Sequence, residues 1–277
     1  MWCHFKWLES VMKPFIVFAS IILILSLTGL PAEISAESLE KVRVATVPIL
    51  LYHSISNASS TDSRYAVSVT DFKDQMEQLR YWGYSPITIK NLVDHITKGH
   101  SLPRRPIVIT FDDGYLDVFD NAFPIMERYG FTGTVYIVAN RLNSDGFLQV
   151  EELQELLNHG WEVGSHGMTH TELTQDHTLV RNEILRSRLD IEDALGIKVF
   201  SLAYPFGSLD MYVSSKVFDY GYRAAVWVGK ISNHSNGTVY NLSRREVQGG
   251  VDLEAFAELL PWTNHFLPSP PRKYLPD

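Results

Sequence analysis

Cysteine is almost absent from this chain: Cys3 is its single example, so no internal disulfide can staple the fold. Basic residues are outnumbered, and a formal net charge of −8 argues against nucleic acid as a partner, because phosphate neutralisation needs basic patches. No dinucleotide fingerprint of the Gly-x-Gly-x-x-Gly type is present, which removes the main support for an open nucleotide-binding sheet. Internal repeats and low-complexity runs are missing too, which excludes solenoids and arrays.

Long apolar runs are also scarce, and the notable one is N-terminal. Lys13 precedes an apolar run over 15–30, and Pro31-Ala32 and Ser35-Ala36 then offer small residues where a signal peptidase could cut. Residues 1–36 are therefore expected to be a signal peptide or an N-terminal membrane anchor, with Met12-Lys13 a more usual start than Met1. The run is short for a membrane span of about 20 residues, and it has no polar face to suit a core helix. The protein is expected to be secreted or at the cell surface and monomeric. Any membrane association through this segment is expected to be peripheral or transient.

What remains is ordinary for a globular domain: 277 residues, 45% hydrophobic and 20% charged, enough to bury a sizeable core. From Val42 onward, apolar runs alternate with amphipathic segments. Strands are predicted at 47–52, 86–89, 107–111, 133–139, 161–165, 198–203, 222–228 and within 239–247. Helices fall between them; Thr70 caps the first, and a helix starts near Tyr115. A longer helix presents Val180, Ile184, Ile191 and Leu195 on one face, and the last helix covers 253–260. This order implies an α/β fold with a parallel sheet. About seven strand-helix units in one domain favour a distorted (β/α) barrel over an open sheet.

The rest is organised around Ile107-Val108-Ile109-Thr110-Phe111, which runs straight into Asp112-Asp113-Gly114. Two adjacent carboxylates at a buried strand end repel, so a metal ion or a shared proton is one resolution. Capping of the following helix is the other. Four strand ends decide between them. In a barrel, reactive groups collect at the C-terminal ends of the strands, and here those ends carry His53, Asp112 with Asp113, His166 with His170, and Tyr204 to Gly207. His166 and His170 lie four apart and would share a face in a helical turn, and two imidazoles plus a carboxylate leave a zinc ion one open position. Gly167 stands where a zincin protease needs its glutamate. The base then comes from Asp112 or Asp113, one binding the ion while the other accepts a proton.

Thr110-Phe111-Asp112-Asp113-Gly114, Ser165-His166-Gly167-Met168-Thr169-His170 and Tyr204-Pro205-Phe206-Gly207 resemble, in order and spacing, the motifs of the polysaccharide deacetylase (NodB-homology) family. The resemblance covers roughly 44–260, and the deacetylase domain is placed at 42–265, with a C-terminal tail at 266–277. It implies a distorted (β/α) barrel that removes N-acetyl groups from N-acetylglucosamine residues of a polysaccharide, using a divalent metal ion, zinc first among the candidates. Asp113, His166 and His170 would be the metal ligands and Asp112 the general base. The Phe206 N–H would hold the oxyanion, on a loop shaped by Pro205 and Gly207.

Two departures from the family pattern carry information. The third motif usually opens with an arginine that orients the base, and here that position is Phe200; Arg244 is the candidate replacement, against the plain alternative of a surface arginine. The usual C-terminal Leu-x-His is missing, and Leu51-Tyr52-His53 has that pattern on the first strand instead. This resembles the circularly permuted deacetylases of poly-β-1,6-N-acetylglucosamine, in which His53 would protonate the leaving amine. A barrel that binds carbohydrate but has lost activity is the competing reading, supported by the absent arginine. A glycoside hydrolase is disfavoured because Asp112 and Asp113 are too close to flank a glycosidic bond. Trp227, Trp262, Tyr65 and Tyr115 are candidates for a sugar groove or for the core. His4, His95, His100, His159, His177, His234 and His265 read as surface or loop positions.

Overall fold

Every residue of the strand Pro106–Phe111 is buried, so both of its faces must lie against apolar layers. The alternation sorts them: Ile107, Ile109 and Phe111 join one core, and Val108 joins another. The structure, a computed structural model, describes residues 42–57 and 64–262. The segment 1–36, the tail 266–277, Cys3, His4 and His265 lie outside the described residues. Among the described residues no helix is long and apolar enough to cross a membrane.

In chain order the strands are β1 (Val44–Thr46), β2 (Ile49–Tyr52), β3 (Ser54–Ile55), β4 (Ala66–Val67), β5 (Ser85–Ile87), β6 (Pro106–Phe111), β7 (Thr134–Ile137), β8 (Glu162–Ser165), β9 (Ser201–Ala203), β10 (Ala224–Val228), β11 (Asn233–Ser235) and β12 (Leu242–Glu246). The α-helices are α1 (Val69–Tyr81), α2 (Ile89–Lys98), α3 (Phe123–Arg128), α4 (Val150–Asn158), α5 (Ser187–Leu195), α6 (Met211–Asp219) and α7 (Leu253–Glu258). Parallel pairings run β2-β12-β10-β9-β8-β7-β6, and β6 pairs back to β2 from Ile49↔Val108 to Tyr52↔Phe111. The sheet is thus a closed seven-stranded parallel barrel, with β5 added alongside β6. Its thinnest seam is β8–β9, joined by the single pair Ser165↔Leu202.

The outer core fills the space between strands and surrounding helices, with Phe72 and Met76 of α1, Leu153 of α4 and Ile191 of α5 packed on Phe111 and its neighbours. The inner core stacks Ile49, Val108, Val226 and Leu242 on Ile89, Leu92 and Ile96 of α2. Inside, the buried Glu162 accepts hydrogen bonds from the Lys90 N–H (2.8 Å) and the Ser201 hydroxyl (2.9 Å). It sits at the first turn of α2, where a carboxylate is favoured by the helix dipole.

Three local expectations are corrected. The cap of α1 is Ser68, whose side chain accepts from the Asp71 N–H, because Ser68 is still extended while Thr70 is already helical. The helix expected near Tyr115 starts two residues later, at Asp117, because positive φ at Asp113 (+71°) and Gly114 (+75°) turns the chain first. It continues as a π-helical turn over Val118–Ala122. His234 is buried on β11 with its Nε2 3.1 Å from the Val47 carbonyl, not on a polar surface.

Burial of His234 pushes its pKa down to about 4, outweighing the hydrogen bond to Val47. A histidine held neutral in the fold gives stability that is full above its unfolded pKa near 6.5 and is lost as pH falls through its folded pKa. Chemical denaturation at pH 7 and pH 4.5 is expected to show a loss, of which up to about 3 kcal/mol belongs to this group. The His234→Gln variant is expected to show a flatter dependence over that window.

Candidate active site

The β2–β6 ladder continues one step past the strand: the Asp112 N–H donates to the Tyr52 carbonyl (2.9 Å). His53 and Asp112 therefore leave adjacent strands at the same level. At Asp113 the chain reverses, and a β-carbon at Gly114 would lie 3.0 Å from Ile137 Cγ2, so that position needs glycine for space as well as for its positive φ. Asp113 itself sits in the left-handed region at a cost of roughly 1 kcal/mol. The reversal sends neighbouring carboxylates to different partners.

Asp112 points into the barrel. Arg244, wholly buried on β12, donates from Nη1 to Oδ1 (2.6 Å) and from Nη2 to Oδ2 (2.7 Å), and its Nη1 also reaches Thr110 Oγ1 (3.1 Å). The guanidinium carbon lies 5.5 Å from the centre of the Tyr136 ring. Burial alone would raise the Asp112 pKa; Arg244, helped by His166 and His53, outweighs it and holds the carboxyl at about 2. Asp113 faces the other way, with Oδ1 3.3 Å from Arg141 Nη1 and 3.5 Å from His170 Nε2.

The histidine pair does not ride on a helix. The segment after β8 is irregular, with φ of +82° at Gly167 and +64° at His170. Buried Glu183 holds it: Oε2 accepts the Met168 and Thr169 N–H groups (2.9 Å each), and Oε1 accepts the Thr169 hydroxyl (2.7 Å). The two imidazole rings end 4.8 Å apart. His166 Nδ1 lies 2.8 Å from the Ala203 carbonyl. A carbonyl can only accept, so Nδ1 carries a proton, and Nε2 is the nitrogen available to a cation. One ligand atom each from Asp113, His166 and His170 falls within 4.8 Å of the others. This donor set fits a divalent cation.

His53 faces the same cavity of about 620 Å³ as Asp112, Asp113, His166 and His170. Its ring packs edge-on to Tyr65 at 4.9 Å. Burial pushes its pKa down, opposed in part by Asp112 and Asp113. Pro205–Gly207 forms a tight turn after β9 with φ of +60° at Phe206, whose ring is 65% exposed and 4.6 Å from His170. A β-carbon at Gly207 would strike Val228 Cγ2 at 2.9 Å. Tyr65 and Tyr115 line the cavity. Trp227 instead donates to the Asn241 carbonyl, and Trp262 packs on Tyr84.

Sequence reasoning missed Glu183 and Arg141. Glu183 left one trace: it interrupts the apolar stripe of Val180 and Ile184, where an unpartnered carboxylate would be costly. Arg141, stacked 5.2 Å over Phe147, left no local signal.

Acids and imidazoles gathered at the carboxyl ends of barrel strands are an arrangement suited to hydrolytic chemistry. Residues 99–225 match the family model for polysaccharide deacetylase. A Bacillus subtilis protein described as a polysaccharide deacetylase, YxkH, is 27% identical over 213 residues, 76% of this chain and 75% of its own. The poly-beta-1,6-N-acetyl-D-glucosamine N-deacetylase of Staphylococcus epidermidis is 26% identical over 234 residues, 72% of this chain and 81% of its own. A crystal structure of a Bacillus cereus polysaccharide deacetylase superposes with a TM-score of 0.69 at 27% identity, covering 79% of this chain and 69% of that one. The chain thus carries a polysaccharide deacetylase domain match over residues 99–225 and is similar to polysaccharide deacetylases over about three quarters of its length. Its matched span holds Asp112, Asp113, His166, His170 and Phe206; His53 and Arg244 lie outside it.

Replacing Arg244 by methionine leaves a desolvated carboxylate without its countercharge and is expected to cost roughly 3–5 kcal/mol at neutral pH. Adding Asp112→Asn is expected to recover much of that loss. A double-mutant cycle by denaturant unfolding measures the coupling.

Proposed function

We propose that the protein removes N-acetyl groups from N-acetylglucosamine residues of an extracellular polysaccharide and releases acetate, with a divalent ion, zinc first, held by Asp113, His166 and His170. The observation that carries the reading is the difference between neighbouring aspartates: Arg244 engages both oxygens of Asp112, while Asp113 joins His166 and His170 in one compact donor set. Poly-β-1,6-N-acetylglucosamine is the first substrate to test, supported by the name of the Staphylococcus epidermidis relative and by the Leu51-Tyr52-His53 pattern on β2. Export through residues 1–36 would bring the enzyme to such a polymer.

When bound, such an ion supplies Lewis acidity, polarising the acetamide carbonyl and acidifying water enough for a base as weak as Asp112 to take its proton. Asp112 enters ionised, since its pKa of about 2 lies far below neutral pH. Arg244 fixes its orientation and leaves it one lone pair on each oxygen for the attacking water. The Phe206 N–H, presented by a turn with φ of +60°, donates to the carbonyl oxygen as it becomes negative. His53, on the neighbouring strand end, donates a proton to the glucosamine nitrogen as the C–N bond breaks. That proton is required because an amide anion is a poor leaving group.

Acetate release from poly-β-1,6-N-acetylglucosamine, peptidoglycan and chitin oligomers, with and without chelator, tests substrate and metal together. Asp112→Asn is expected to lower turnover by about 10²-fold or more while zinc content stays near wild type. Asp113→Asn is expected to lose the zinc. Turnover that survives complete metal removal, or an Asp112→Asn enzyme near wild-type rate, contradicts the reading.

A further inference from the structure

Behind His53 lies a clamp for which the chemistry above has no use. Asp117 precedes the π-helical turn Val118–Ala122, where a carboxylate ordinarily caps the free N–H groups. It makes no such bond. Instead its Oδ2 accepts the Ser54 hydroxyl (2.5 Å) and its Oδ1 accepts the Ile55 N–H (3.1 Å). Asn121, one turn on, donates to the Ile55 carbonyl (2.8 Å). Burial pushes the Asp117 pKa up, against the lowering effect of those two donors, so the carboxylate is kept on β3 at a desolvation cost.

The consequence falls on His53. Before it, the Tyr52 carbonyl is tied to the Asp112 N–H; after it, Ser54 and Ile55 are tied to Asp117. The Ser54 N–H also donates to the Tyr65 carbonyl (3.2 Å), and the Tyr65 ring is the one packed on His53. The segment following β6 thus supplies both Asp112 with Asp113 and the fastening for the histidine on the neighbouring strand end. We propose that Asp117 is a positioning residue for His53, holding the imidazole where it can protonate the departing amine. The inference rests on the reading of His53 as proton donor. It concerns leaving groups alone: an amine must be protonated to depart, whereas the phenolate of an aryl acetate departs unaided.

The test compares zinc-supplemented enzyme on two substrates, acetate release from N-acetylglucosamine oligomers and hydrolysis of an aryl acetate. Asp117→Ala is expected to lower kcat on the amide by about 10²-fold, the scale of a small misplacement of a catalytic group, with KM little changed and the aryl ester within a few-fold of wild type. Asp117→Asn, which still accepts the Ile55 N–H and can donate to Ser54 Oγ, is expected to restore most amide turnover. If Asp117→Ala does not accumulate as folded protein, Ser54→Ala removes the shorter bond, along with the Ser54–Ser56 hydroxyl contact (3.0 Å), keeps the Ile55 bond to Asp117, and is expected to show a smaller loss of the same selectivity. Equal losses on both substrates, or unchanged amide turnover, overturn the proposal. His53→Gln separates the two layers. If it spares amide turnover, the proton-donor reading falls; if it loses the amide selectively while Asp117→Ala does not, only the positioning role falls.

Discussion

Adjacent aspartates can do different chemistry only if something holds them apart, and in this barrel that is the contact between Arg244 and Asp112. Both groups are buried, and desolvation on its own would push the carboxyl toward its neutral form. A unit charge pair 4 Å apart is worth about 4 kcal/mol at an effective dielectric of 20. Two charge-assisted hydrogen bonds of 2.6 and 2.7 Å add orientation to that attraction. The pair keeps Asp112 ionised and turned inward, with its Oδ2 3.7 Å from His166 Nε2, while Asp113 is free of Arg244 and lies 3.5 Å from His170 Nε2. Around that contact the remaining features make sense as supports: Thr110 and Tyr136 seat the guanidinium, and the closed sheet keeps water from it.

The site is also where the backbone is least comfortable. Among the described residues, five non-glycine positions have positive φ, and Asp113, His170 and Phe206 are three of them. Strain of this kind persists only where surroundings over-determine it. Here they do: Gly114 packs against Ile137, Glu183 gathers the amides before His170, and the rings of His170 and Phe206 meet at 4.6 Å. Holding donors in place beforehand spares the reaction the work of arranging them.

Much of the fold was legible because burial on two faces leaves a plain mark. Runs such as Pro106–Phe111 have no polar alternation, and their spacing by amphipathic helices leaves a parallel barrel as the economical solution. The gathering of His53, Asp112, Asp113, His166 and His170 at one mouth followed from where each strand ends. The reason given for the histidine pair did not hold: spacing of four suggests a helical turn, and the chain reaches the same proximity through an irregular loop pinned by Glu183. Glu183, Arg141 and Asp117 act across the fold, and a hydrogen bond between distant segments leaves no periodicity to read. Arg244 could be named only as a replacement for a missing arginine, since a long side chain on a strand does not announce which neighbour it reaches. His234 was misjudged because an isolated polar residue on a short strand looks the same whether it faces solvent or a buried carbonyl.

A crystal structure of the zinc-loaded protein tests the division between the aspartates most directly. One ion is expected within bonding distance of Asp113, His166 Nε2 and His170, with both Arg244 bonds to Asp112 intact. An ion ligated by Asp112, with that carboxylate turned away from Arg244, would contradict that division.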